Sequence, residues 1–261
     1  MFSLKGRRVL VTASSRGIGF GSAKAFLEEG SRVVICSSNH DRLSQAEKQL
    51  GTLGEVHALA ADLRLESDLD KLVDQTLERL GGLDHMVYVA PPPPPGTFMA
   101  NGYKEWREAA ESMMVSPAYL CKRVGEEMVK SKTRGTMVLV ASVAVREPIP
   151  TIATSGVARI AVSGIVRTLA RELGPSGIRV NGVMPGYVDT DRVREILEAT
   201  GARTGLGMSK ARESMESEIP LRRIGTTEET ANVILFLSSD LASYVSGAMV
   251  PVDGAILRSV G

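Results

Sequence analysis

The run Thr12-Ala13-Ser14-Ser15-Arg16-Gly17-Ile18-Gly19 sets two glycines and one cation among small hydroxyl side chains, directly after the apolar stretch Val9-Leu10-Val11. Small residues at such a point let backbone N–H groups come close to an oxyanion. Phe20, Ala23, Phe26 and Leu27 follow at helical spacing, so the free N–H groups and partial positive charge of a helix N-terminus face the same ligand. The chemistry this suits is the grip of a diphosphate, as in a dinucleotide. A tight strand-to-helix turn also uses glycine for steric reasons, so the loop alone leaves a plain turn open.

The elements that must hold this loop alternate along the chain. Strand-like runs cover Arg8 to Val11, Arg32 to Cys36, Val56 to Ala60, His85 to Val89, Thr136 to Val140, Ile178 to Val183 and Ala248 to Val252. Amphipathic periodicity fills the intervals, as at Ser67 to Leu80, Tyr103 to Met128, Ala158 to Leu173 and Thr227 to Leu237. This order predicts an α/β fold with a seven-stranded parallel sheet, right-handed crossovers and helices on both faces. Ligands of such sheets lie beyond the carboxyl ends of the strands, which makes the residues just after each strand the candidates for function. Pro91 to Pro95 follows the fourth strand; five prolines form a stiff extended segment, expected as a rigid wall of the site rather than an exposed ligand for a partner. Gly201 to Met208 carries three glycines and reads as irregular, either a lid over a substrate or a surface insertion.

The chain has 261 residues, 43% hydrophobic, with a formal net charge of +1. That charge gives no reason to expect nucleic acid or an anionic membrane as a partner. Two cysteines, Cys36 and Cys121, and three histidines, His40, His57 and His85, argue against a metal centre or a disulfide framework. The N-terminus shows no charged-then-apolar leader, and no run approaches the roughly 20 apolar residues of a membrane helix. A cytoplasmic protein is expected.

Several post-strand signals in order resemble the short-chain dehydrogenase/reductase family over essentially the whole chain. Thr12 to Gly19 is similar to that family's TGxxxGIG loop, with Ala13 in place of the first glycine. Asp62 and Leu63 stand after the third strand, where the family holds adenine, and Ala90 follows the fourth. Asn181 to Gly186, then Val188 and Thr190, resemble the NxxxPGxxxT segment beside the nicotinamide, and Val252-Asp253-Gly254 resembles the family's last strand ending. Taken singly, Asp62 is also a helix cap and Pro185-Gly186 an ordinary turn. The resemblance implies one Rossmann domain over residues 1–261 with a substrate-covering segment at 190–220. The subfamily it looks like is that of bacterial 3-oxoacyl-carrier-protein reductases and related carbonyl reductases.

An acidic residue ending the second strand would bind a ribose 2′-hydroxyl and repel a 2′-phosphate. Here the segment reads Cys36-Ser37-Ser38-Asn39, with no carboxylate before Asp41. Arg16 can meet a 2′-phosphate with a charge-assisted contact, and Ser37 and Ser38 can add hydrogen bonds. NADP(H) is expected over NAD(H).

The family's catalytic set is Ser, Tyr, Lys and Asn. Ser142, after the fifth strand, keeps the serine, but the Ser-x12-Tyr-x3-Lys spacing lands on Ser155 and Arg159, and the asparagine aligns with Met114. A tyrosine of pKa about 10 is brought into range by a neighbouring cation. A serine is a far weaker acid, and an arginine keeps the charge without exchanging protons near neutrality. Losing the general acid costs roughly 10²–10⁴ in rate. Tyr187, just after Pro185-Gly186, is the first candidate for a substitute acid, although a wall-forming role is the stronger expectation for it; Tyr88 reads as core packing.

Two readings follow. The first is an NADP(H)-dependent oxidoreductase acting on a ketone, aldehyde or alcohol, with Ser142, Ser155 and Arg159 as an atypical catalytic set. The second is a dinucleotide-binding sensor or partner subunit that has lost dehydrogenase activity. The resemblance implies a homo-oligomer, a dimer or tetramer, packed through the helices of residues 103–128 and 158–173.

Overall fold

The computed structural model describes residues 2–205 and 207–259. Strands β1 (Arg8–Val11), β2 (Arg32–Ser37), β3 (Val56–Ala60), β4 (His85–Tyr88), β5 (Thr136–Val140), β6 (Arg179–Pro185) and β7 (Met249–Val252) form a single parallel sheet. Their order is β3-β2-β1-β4-β5-β6-β7. The chain therefore winds outward in both directions from the β1–β4 pair, where Val9 sits opposite His85 and Val11 opposite Val87. A crevice opens at such a reversal, above the carboxyl ends of these strands.

Period-two alternation divides the strand residues between two apolar layers. Leu10, Val34, Met86, Tyr88 and Leu139 face α3 (Glu66–Leu80), α5 (Ser116–Lys130) and α6 (Ala153–Leu173). Val9, Val11, Val33, Ile35 and Val87 face α1 (Gly17–Glu28), α2 (His40–Leu50) and α9 (Thr227–Ser238). The doubly wound α/β fold expected from the sequence is present.

Its boundaries differ in instructive ways. β4 ends at Tyr88 because the Val89 amide donates to the Thr12 hydroxyl, which in turn donates to the Val89 carbonyl, both at 2.8 Å. The helix expected over 103–128 is instead α4 (Tyr103–Ala110), a π turn (Glu111–Val115) and α5. Pro117 lacks the N–H that would continue α-helical pairing, and the Ser116 hydroxyl reaches the Glu111 carbonyl at 2.7 Å. The helix expected from Ala158 starts at Ala153, and β6 runs from Arg179 through Pro185. Of Gly201 to Met208, expected to be irregular, residues 201–204 belong to α7 (Asp191–Thr204) and 207–208 to α8 (Gly207–Glu218), while Leu206 lies outside the described residues. Gly205, at φ +69°, caps α7 in the left-handed conformation. These two helices close over a small apolar core of their own that includes Val193, Leu197, Ala211, Met215 and Ile219.

Candidate active site

Strand β1 delivers the chain into a loop that cannot be widened. A Cβ on Gly19 would stand 2.5 Å from the Ala13 carbonyl oxygen, and Ala13 itself holds φ +43°. Helix α1 then begins at Gly17 with no side chain capping its N-terminus and no acidic residue in its first turn. The first N–H groups of a helix have no partner within it, and with no side chain supplying one here they can receive an anion. The Thr12 and Ser14 hydroxyls, expected at the ligand, are fully buried and turned to the scaffold. Thr12 ties β1 to Val89, while Ser14 donates to the Val11 carbonyl and accepts from the Cys36 amide at 3.0 Å. With Gly19 they shape the loop and do not line the cavity.

That cavity, about 640 Å³, lies over the carboxyl ends of β1, β4, β5 and β6. From the loop it takes Ser15, Arg16, Gly17 and Ile18; from β2 and beyond, Ser37, Ser38, Asn39 and Arg42. Ala90 and all of Pro91 to Pro95 form one wall, and Pro185, Gly186, Tyr187, Val188 and Thr190 another. An adjoining space of about 250 Å³ shares Ser37, Ser38 and Pro91 to Pro94 and is walled by Asp62 and Leu63. Arg42, one turn into α2, was not singled out in the sequence, because its position in that helix gives no local sign that it faces the crevice.

Two predicted ligand contacts are already occupied. Arg16 donates to Asp191, at the start of α7, across 2.7 Å. Asp62 is gripped by the Arg64 guanidinium at 2.7 and 2.9 Å, which holds its carboxyl below the usual range.

Ser142, Ser155 and Arg159 all open into the large cavity. The Ser142 oxygen accepts from the Ala144 amide at 3.1 Å and the Ser155 oxygen from Arg159 Nε at 3.1 Å. Each hydroxyl therefore accepts one hydrogen bond and donates none among the described residues. Arg159 is buried, and its Nη1 donates to the Val140 and Ala141 carbonyls at 2.8 and 3.0 Å. No described carboxylate bonds to it. Burial, with Arg192 adding to it and Tyr88 opposing, lowers the guanidinium to about 10, so it remains a cation at neutral pH.

Met114, aligned with the expected asparagine, is 45% exposed and does not line the cavity, because the π turn rotates it outward. Tyr88 lies in the core and donates to the Ser112 carbonyl at 2.7 Å. Tyr187 does face the cavity; burial and Glu218 raise its phenol above the ordinary value, which makes it a poorer acid. Arg192, Glu195 and Ile196 of α7 also line the cavity and were not anticipated.

Residues 12–255 match the family model described as enoyl-(acyl carrier protein) reductase. Dehydrogenase/reductase SDR family member 4 of Homo sapiens is 33% identical over 254 residues, 96% of this chain and 87% of that protein. The 3-oxoacyl-(acyl-carrier-protein) reductase of Chlamydia pneumoniae is 31% identical, with 97% and 98% covered. Among solved structures, L-sorbose reductase from Gluconobacter frateurii, complexed with NADPH and L-sorbose, superposes with a TM-score of 0.93 at 26% identity, covering 99% of each chain. Among the described residues, no helix is long and apolar enough to cross a membrane.

Proposed function

This chain belongs to the short-chain dehydrogenase/reductase family of oxidoreductases, and we propose that it is an NADP(H)-dependent carbonyl reductase, or alcohol dehydrogenase in the reverse direction, with an atypical catalytic set. The observation that carries this reading is the meeting, in one cavity, of an uncapped helix N-terminus with Ser142, Ser155 and Arg159.

The residues present fit a dinucleotide. The α1 N–H groups would hold the diphosphate, in a loop kept tight by the close approach of Gly19 to Ala13. The space beside Asp62 and Leu63 would take the adenine, and Arg159 the nicotinamide ribose. Pro185, Gly186, Val188 and Thr190 would bracket the nicotinamide. Ser37, Ser38, Asn39 and Arg42 offer donors and a positive charge to a 2′-phosphate. Arg16 would share in this by exchanging Asp191 for the phosphate. Asp41, the nearest carboxylate in sequence, does not line this part of the cavity.

The bound nicotinamide would supply the hydride, the ketone carbon accepting it and the oxygen taking one proton from solvent to give the alcohol. Ser142 and Ser155 donate their free protons to the carbonyl oxygen and stabilise the negative charge that develops there. The Arg159 Nε bond to the Ser155 oxygen polarises that hydroxyl, and the guanidinium adds fixed positive charge without moving a proton. No strong acid stands in place of the family's tyrosine, so activated ketones are turned over best. Helices α7 and α8, on their own small core within the 190–220 segment, cover the substrate.

A homo-oligomer is supported by α6, where Val157 and Ile160 are half exposed and a Cβ on Gly164 would meet nothing within 4 Å. The dinucleotide reading is tested by calorimetry with NADPH and NADH. The catalytic reading is tested by NADPH oxidation over a panel of dicarbonyls and activated ketones. Turnover no greater than that of Ser142→Ala would leave the second reading, a dinucleotide-binding sensor or partner subunit. That reading is favoured by Ser155 and Arg159 standing where the family's acid and lysine stand. Appearance of activity only in Ser155→Tyr/Arg159→Lys would settle for it.

A further inference from the structure

Arg159 is not the only cation at the reacting end of the cavity. Arg192, in the first turn of α7, has a side chain only 19% exposed and lines the same space. Burial is the main influence on it and works against its charge. The two guanidinium groups are close enough for Arg192 to oppose the charge of Arg159. Among the described residues, the carboxylate paired with Arg192 is Glu195, at 3.5 Å from its Nη1, one turn along the same helix and about half exposed. Two cations against one carboxylate leave one positive charge in a partly dry site, which folding alone does not favour.

Arg179 shows how this chain treats a structural arginine. Its Nη1 and Nη2 both donate, to the carbonyls of Leu237, Val245 and Ser239, at 2.7, 3.4 and 2.8 Å. At Arg159 the bonds to described residues use Nε and Nη1 only, so among these residues Nη2 has no acceptor. The walls of the same cavity also include Ile149, Ile152, Val193 and Ile196. An apolar wall with a residual cation suits a ligand of apolar body and single negative charge.

We propose that Arg192 anchors a carboxylate on the substrate, so that the substrates are oxo acids with an apolar body. This rests on the oxidoreductase reading above and narrows its substrate class; the two-electron change at the carbonyl is the one already described. Arg192 is a specificity residue: its planar fork matches a carboxylate in two hydrogen bonds, and Glu195 holds the fork while the site is free of substrate.

The experiment compares phenylglyoxylate with its methyl ester in NADPH oxidation. The ester carbonyl is intrinsically the more electrophilic, so a preference for the acid has to come from the protein. The expected result is a kcat/KM about 10-fold or more in favour of the acid, carried by KM. Arg192→Gln should bring that ratio to about one, and Arg192→Lys, which keeps the charge and loses the fork, should restore part of it. A preference for the ester, or a ratio that Arg192→Gln leaves unchanged, overturns the proposal. So does an Arg192→Gln variant that loses NADPH affinity while its ratio holds, since the arginine then serves the cofactor phosphates. If neither compound is reduced, the failure is that of the redox reading, and calorimetry with phenylacetate decides the anchor. Binding that Arg192→Gln weakens about 10-fold supports it, and no binding overturns it.

Discussion

The two ends of the sheet are built by opposite rules. At the amino ends, charge meets charge: Arg8 grips Asp84 through Nε and Nη2 at 2.8 Å, and Arg32 grips Glu55 through two bonds of 2.6 Å. His85 is the exception there: its Nδ1 lies 2.8 Å from the Thr136 hydroxyl and its ring stacks on Phe26, but its Nε2 is buried with no partner among the described residues. At the carboxyl ends, among the described residues, the same sheet holds an uncapped helix, two serine protons without acceptors and a buried arginine facing no carboxylate. Saturated polar groups stabilise a fold and leave nothing for a ligand; unsaturated ones cost stability and are kept where something binds. The contrast locates function without reference to any relative.

Breaking the amino end should be the most damaging to stability. Asp84→Asn strips the partner from a half-buried guanidinium and should cost about 3 kcal/mol in urea unfolding. Burial works against the Asp84 charge, but its hydrogen bonds to Arg8 prevail and hold the carboxyl below its ordinary value. This contribution is present above the ordinary carboxylate pKa and is lost as pH falls through the lowered one.

His85 acts in a different window. Burial takes the imidazole from 6.5 down to about 4, against the pull of Asp84 and with Arg7 and Arg179 adding to it. The unfolded chain then binds a proton that the folded chain refuses. Stability should fall by about 3 kcal/mol as pH drops from 6.5 to about 4 and level off below that. Unfolding curves at half-unit intervals read this directly, and His85→Asn should flatten the slope in that window only.

At the carboxyl end the order of effects reverses. Ser142→Ala removes one donor to the developing oxyanion and should lower kcat/KM about 100-fold, with only about 1 kcal/mol of stability lost from the Ala144 amide it caps. Arg159→Met should cost about 1 kcal/mol, since relief of a buried cation that faces no described carboxylate offsets part of what the Val140 and Ala141 carbonyls lose. Arg179→Met should cost more, because three carbonyls lose their donor. Equal losses at the two arginines would erase the distinction between the two ends.

Much of this was legible in the residues themselves. Alternating apolar runs and helical spacing decide the α/β class and the strand count, because a strand or helix reports its buried face within ten or so residues. The Thr12 to Gly19 loop announces a close backbone approach for the same local reason: a Cβ at Gly19 would meet an oxygen of the same loop. Even so, Ser14 was read as a ligand contact when its hydroxyl belongs to Cys36, a partner 22 residues away. Arg16 is bound to Asp191, 175 residues on, and no local pattern carries that pairing. Arg192 and Arg42 are unremarkable charges on helix surfaces until the turns before α7 and α2 aim them into the crevice. The sequence on its own thus determined the layers and the loop. Tertiary structure alone decided which polar groups are satisfied and which are left facing the cavity, since satisfaction depends on partners that only the folded chain brings within 3 Å.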